Sequence, residues 1–191
     1  MIKNIILDVG GILFDDSKEN LVKLLNKNCD LLYKETYGKG FKECLLGNQT
    51  IKEYLNTLKD KDNYQEIEYV LNKQNLYRTY PIMSDNFNYI KKLRQKGYKI
   101  YLLTNSTKDS YYYINDTINI DSTFDGGVYS YQEHLIKPDA KIYTLLFEKY
   151  NLPKEETIFF DDKEKNIIAA QALGIKAILF TSITDIEGAL K

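Results

Sequence analysis

Three acidic residues stand at the ends of apolar runs, where charge is costly. Asp8 follows "IIL" (residues 5–7), and Asp161-Asp162 follow "TIFF" (157–160). Thr104 and Asn105 end a third run, "KIYLLT" (99–104), and a loop motif "IKPD" carries Lys137. Ligands of open parallel sheets gather at the carboxyl ends of the strands. If these runs are neighbouring strands, three carboxylates, a hydroxyl, an amide and an ammonium converge on one crevice. At an effective dielectric of ~20, two like charges ~4 Å apart repel by about 4 kcal/mol. One lysine does not offset several such terms, so a divalent cation is the natural counter-ion. An all-oxygen donor set favours magnesium over zinc. Magnesium also bridges to phosphate oxygens, which points to a phosphorylated ligand. Gly10 and Gly11 follow Asp8 directly. Without a Cβ the chain turns sharply there, bringing a carbonyl to a metal and N–H groups to an anion. Each feature alone has a plainer reading, as a turn, a helix cap or a solvated helix start. Their order at successive strand ends carries the chemical one.

Positioning these groups requires a sheet. The runs at 5–7, 99–104, 157–160 and 176–180 are nearly continuous apolar segments, the pattern of strands buried on both faces, and "GGVYS" (126–130) is a weaker fifth. Between them the spacing predicts helices. Met83, Phe87, Ile90 and Leu93 share a face that stops at Gly97, and Ile168, Ala169, Ala172 and Leu173 share another that stops at Gly174. Pro138 fits the first turn of a helix carrying Ile142, Leu145 and Leu146. This rhythm predicts an α/β fold, a doubly wound and mostly parallel Rossmann-like sheet. Residues 16–82 break it, with helical pattern and no strand-like run. Asp16 with Glu19 and Thr50 with Glu53 are spaced as capping boxes, and "YGKGF" (37–41) reads as a break between helices. The expected organisation is a core of 1–15 and 83–191 with a small helical bundle, 16–82, inserted through crossings near 15–17 and 79–83.

Composition bounds the rest. A net charge of −1 provides no basic field for nucleic acid or an anionic membrane. No apolar run approaches spanning length, so a soluble cytoplasmic protein is expected. Cys29 and Cys44, without a CxxC spacing, are expected to be idle thiols.

Four segments together resemble the motifs of the haloacid dehalogenase-like hydrolase superfamily: "ILDVGGIL", "YLLTN", "IKPDAKIY" and "IFFDDKEKNIIAAQALGI". The insertion is similar to that family's four-helix cap, and the nearest branch resembles sugar-1-phosphate phosphatases and the epoxide-hydrolase phosphatase domain. The resemblance implies that Asp8 attacks phosphorus to form an aspartyl-phosphate. It also implies that Thr104, the backbone at Asn105, and Lys137 bind the phosphate. Magnesium would be held by Asp8, the Gly10 carbonyl, Asp161 and Asp162. The expected activity is a magnesium-dependent phosphatase for a small phosphorylated metabolite, a sugar phosphate being one candidate, in a monomer or weak homodimer. One position departs from the pattern. The family's general acid stands two residues after the nucleophile, and here that residue is Gly10. Asp15, Asp16 or His134 would have to replace it, or the substrate would need a good leaving group. Otherwise the protein binds phosphate compounds with little turnover. A 2-haloacid dehalogenase is the less favoured alternative, since such relatives need no metal.

Overall fold

The structure is a computed structural model that describes residues 1–191. Five strands form one sheet: β1 (Asn4–Leu7), β2 (Lys99–Thr104), β3 (Gly126–Tyr129), β4 (Thr157–Asp161) and β5 (Lys176–Leu179). All pairings are parallel, in the order β3-β2-β1-β4-β5. The five expected runs are the five strands, and the weak fifth run is β3.

Alternation along the strands divides the core into two layers. Ile5, Leu7, Ile100, Leu102, Ile158 and Phe160 face one side. There they meet α7 (Ser84–Gln95) through Ile90 and Leu93, α8 (Lys108–Ile118) through Ile114 and Ile118, and α13 (Ile183–Ala189) through Ile186. The short α9 (Ile120–Thr123) adds Ile120 to that layer. Ile6, Leu103, Val128 and Phe159 face the other side, against Ile142 and Leu146 of α11 (Ala140–Lys149) and Ile167 and Ala170 of α12 (Glu164–Ala172). The doubly wound α/β expectation is met. A one-turn helix, α10 (Ser130–Glu133), leads from β3 towards the loop that carries Lys137.

Two helix readings are corrected. Ile168 is exposed, and α12 buries Asn166, Ile167 and Ala170 instead. A polar residue lies on the inward face, so an apolar pattern selects the wrong one. Gly174 does stop this segment at φ +74°. Pro138 precedes α11 rather than opening it, because Asp139 is the N-cap and its side chain accepts from the Lys141 amide at 2.9 Å.

Between β1 and α7 the chain forms α1 (Lys18–Leu25), α2 (Asp30–Thr36), α3 (Phe41–Leu45), α4 (Ile51–Asn56), α5 (Tyr64–Leu71) and α6 (Leu76–Thr79). The expected helical bundle is thus assembled from more and shorter pieces than four. Helices this short are marginal alone and depend on tertiary packing. That packing is a separate apolar cluster in which Leu21, Leu32, Tyr54, Ile67 and Val70 are all buried. Thr50 and Glu53 form the expected capping box on α4. Asp16 and Glu19 do not, since Ser17 is the N-cap of α1. Cys29 and Cys44 are free and buried in this cluster.

The two crossings run side by side. Asp15 N–H donates to the Pro81 carbonyl at 2.9 Å and Met83 N–H to the Leu13 carbonyl at 2.8 Å, flanking an antiparallel bridge between Phe14 and Ile82. No helix is long and apolar enough to cross a membrane.

Candidate active site

β1 lies between β2 and β4, and the chain leaves it towards β2 but leaves β4 towards β5. Such a reversal opens a crevice at the carboxyl ends of the two central strands. The Asp8 amide donates to the Phe160 carbonyl at 2.9 Å, so the ladder continues one residue beyond β1 and delivers the Asp8 side chain into that crevice. Asp161 ends β4, and Thr104 ends β2 at 2% exposure.

Lys137 ties the strands together. Its ammonium, 2% exposed as a residue, lies 2.9 Å from Asp8 Oδ1 and donates to Asp161 Oδ2 at 2.6 Å. Asn105 fixes the loop behind it: its Oδ1 accepts from the Lys137 amide at 2.8 Å, and its Nδ2 donates to the Lys137 carbonyl at 3.0 Å. The Asn105 side chain therefore orients the lysine, leaving only its backbone for a ligand. Asp161 is held further by the Lys163 amide at 2.8 Å and by Asn166 Nδ2, 2.9 and 3.0 Å from its two oxygens.

Burial sets the electrostatics. Loss of solvent pushes the Asp8 carboxyl up to about 7, against the pull of Lys137 and with a push from Asp161. Burial alone would lower Lys137, but the Asp8 and Asp161 carboxylates outweigh it and raise its pKa, keeping it charged.

The metal donors also come together. One oxygen each from Asp8, Asp161 and Asp162 lie within 4.8 Å of one another. Asp161 already has its hydrogen-bond donors, whereas Asp162 Oδ1 is buried without a partner. That orphaned acceptor and the all-oxygen set fit a hard divalent cation. Gly11, at φ +71°, makes room for the Asp162 side chain, since a Cβ there would sit 2.5 Å from Asp162 Cγ. Gly10 lines the same cavity.

Sequence reasoning gave three further residues no place in the site or left them undecided. Asn166 was not among the residues assigned to the inward face of its helix. Its signal was a lone amide five residues after Asp161, in the first turns of an apolar helix. Lys163 pairs with Asp162 Oδ2 at 2.6 Å and lies 3.9 Å from Asp16 Oδ2. Asp16 fills the space left by Gly10, because a Cβ on residue 10 would lie 2.9 Å from Asp16 Oδ2. Burial raises the Asp16 carboxyl, with Lys163 opposing and Asp162 reinforcing. Of the three replacement acids considered, Asp16 alone lines the cavity. Asp15 instead accepts from the Ser17 amide at 2.9 Å, and His134 is turned to the Leu46 carbonyl at 2.8 Å.

Known proteins resemble this chain in sequence and in fold. The sesquiterpene phosphatase astK of Aspergillus oryzae is 32% identical over 92 residues, covering 48% of this chain and 47% of that one. The phosphorylated carbohydrates phosphatase of Thermotoga maritima is 33% identical over 61 residues, covering 32% and 28%. The chain thus spans less than half the length of each curated relative. A HAD family enzyme of Bacteroides thetaiotaomicron, crystallised with magnesium and inorganic phosphate, superposes with a TM-score of 0.74 at 23% identity, covering 94% of both chains. That likeness shows the fold. The profile of haloacid dehalogenase-like hydrolases matches residues 2–174, and the chain belongs to that family.

Proposed function

We propose that this hydrolase is a magnesium-dependent phosphatase for the monoester of a small metabolite, with residues 16–82 acting as a cap over a core of 1–15 and 83–191. One observation carries the reading. Asp8 stands at the head of a cavity with a buried ammonium 2.9 Å away and an acceptor-rich acidic pair beside it. An Asp8 oxygen attacks phosphorus, the ester P–O bond breaks, and the alcohol leaves with a proton. Water then cleaves the aspartyl-phosphate, releasing inorganic phosphate and restoring Asp8.

Thr104, the Asn105 amide and Lys137 hold the non-bridging oxygens and stabilise charge that develops there. Asp8, the Gly10 carbonyl, Asp161 and Asp162 would hold magnesium, which neutralises phosphate charge when bound. Asp16 is the group placed to protonate the leaving alcohol, since it occupies the volume of the missing residue-10 side chain. The names of the two curated relatives and the magnesium and phosphate in the Bacteroides enzyme support the same chemistry.

Phosphate release from a metabolite panel, with and without magnesium, tests the reading. Release is expected to need the metal and to fall by at least about 10³-fold in Asp8→Asn. Release that survives this change sinks the nucleophile assignment. A second reading, a phosphate-binding protein with little turnover, is favoured by Gly10 itself. It predicts that magnesium and ligand raise the Tm while release stays at background. Chloride release from 2-haloacids would point to the dehalogenase instead.

A further inference from the structure

The cavity above Asp8 has a volume of about 300 Å³, and its two ends differ in chemistry. The floor is the charged crevice already described. The roof comes from the helical insertion. Tyr33, Tyr37 and Phe41 form an aromatic edge there, with ring centroids 4.9 and 5.1 Å apart, and Leu45, Leu71 and Leu76 continue it. The insertion is rich in lysine and glutamate, yet apart from Asp16 at the floor it contributes no charged or amide side chain to the cavity lining. Its aliphatic hydroxyl there is that of Thr79, buried and without a partner. On the core side, Thr107 and Ser110 hydrogen-bond each other at 2.9–3.1 Å, and Asp109, Lys163 and Lys165 are the further charged groups that line the cavity.

A sugar brings several hydroxyls, each of which needs a partner once water is expelled. This roof offers only the Thr79 hydroxyl and the phenol hydroxyls of Tyr33, Tyr37 and Tyr80, set among the wholly apolar side chains of Phe41, Leu45, Ile51, Leu71 and Leu76. An aliphatic or aromatic skeleton needs none and gains from burial against Phe41, Leu71 and Leu76. We propose that the substrate is the monophosphate ester of an apolar alcohol rather than a sugar phosphate, with Phe41, Leu71 and Leu76 setting that preference. The inference rests on the phosphatase reading for which end of the cavity receives phosphorus.

Primary alkyl phosphates test it, because their leaving groups are nearly matched and differences in rate report the pocket. Along methyl, butyl and hexyl phosphate, kcat/KM is expected to rise, and hexyl phosphate is expected to exceed glucose 6-phosphate by about ten- to a hundredfold. In Leu76→Asn and Phe41→Asn that ratio narrows by about tenfold. A flat series, or a preference for glucose 6-phosphate, overturns the inference while leaving the phosphatase reading intact. If no ester is turned over, the phosphatase reading fails and binding decides the pocket's class. With magnesium present, hexylphosphonate binding at least about tenfold tighter than methylphosphonate supports it. Equal or undetectable binding of the two overturns it.

Discussion

At the carboxyl end of the sheet, Asp161 takes directed hydrogen bonds from Lys137, Asn166 and the Lys163 amide, at 2.6 to 3.0 Å. In the helical insertion, the Tyr37 side chain meets those of Tyr33 and Phe41 through rings whose centroids lie 4.9 and 5.1 Å away. Directional bonds among buried charges have one good arrangement, and removing a member strands the rest. Apolar contacts grade smoothly with shape and area. A wall of the first kind fixes a reaction, and a wall of the second kind can be retuned for new substrates without disturbing it.

Four experiments break or sharpen that contrast. The largest expected effect is that of Lys137→Met, which leaves Asp8 and Asp161 buried without their shared cation. It should destabilise the metal-free protein by about 3–5 kcal/mol in urea titrations, with magnesium restoring part of the loss. Stability within 1 kcal/mol of the parent, roughly the worth of an exposed pair, would show that the crevice is more open than its burial implies.

Asp16→Asn comes next. Its kcat on alkyl phosphates should fall by about 10²-fold, and far less on 4-nitrophenyl phosphate, whose leaving group needs no proton. Equal losses on both would assign Asp16 to binding rather than proton transfer.

Asp8 provides a third test through pH. Its carboxyl titrates near 3.8 when unfolded and about 7 in the folded, metal-free protein. Below 3.8 both states hold the proton. Between the two values only the unfolded state releases it, so stability falls across that window and stays low above it. Asp8→Asn should therefore stabilise the metal-free protein by about 4 kcal/mol at pH 8 and by less than about 1 kcal/mol at pH 4. A gain that does not change with pH would refute burial as the cause. The smallest effect belongs to the insertion: Thr50→Ala removes the α4 cap and should cost about 1 kcal/mol. The same change should leave kcat untouched in steady-state assays.

The parts of the molecule that were legible in sequence are those fixed by local pattern. Apolar runs gave all five strands because a strand buried on both faces has few ways to be written. The acids at their ends marked the crevice because charge after such a run needs a partner. Asn166 escaped because its reason for facing inward lies in Asp161, at the end of the preceding strand, and not in its own helix. Asp16 was read as a cap, because its spacing to Glu19 is local, and also as one of three replacement acids, whereas the space that singles it out is created by Gly10, six residues earlier. The roof was illegible for a similar reason. Its aromatic and aliphatic residues come from separate short helices, and no single periodicity declares which of their faces meet.

The hydrogen bonds between the outgoing strand at residues 13–15 and the returning one at 81–83 have a consequence for the history of such a chain. Because the excursion ends where it started, its whole length is topologically a side loop. It can be lengthened, shortened or exchanged while the sheet and its crevice keep their places. Changes in the excursion and changes in the crevice are then separable along the sequence, because the chain passes between the two parts only at that short ladder.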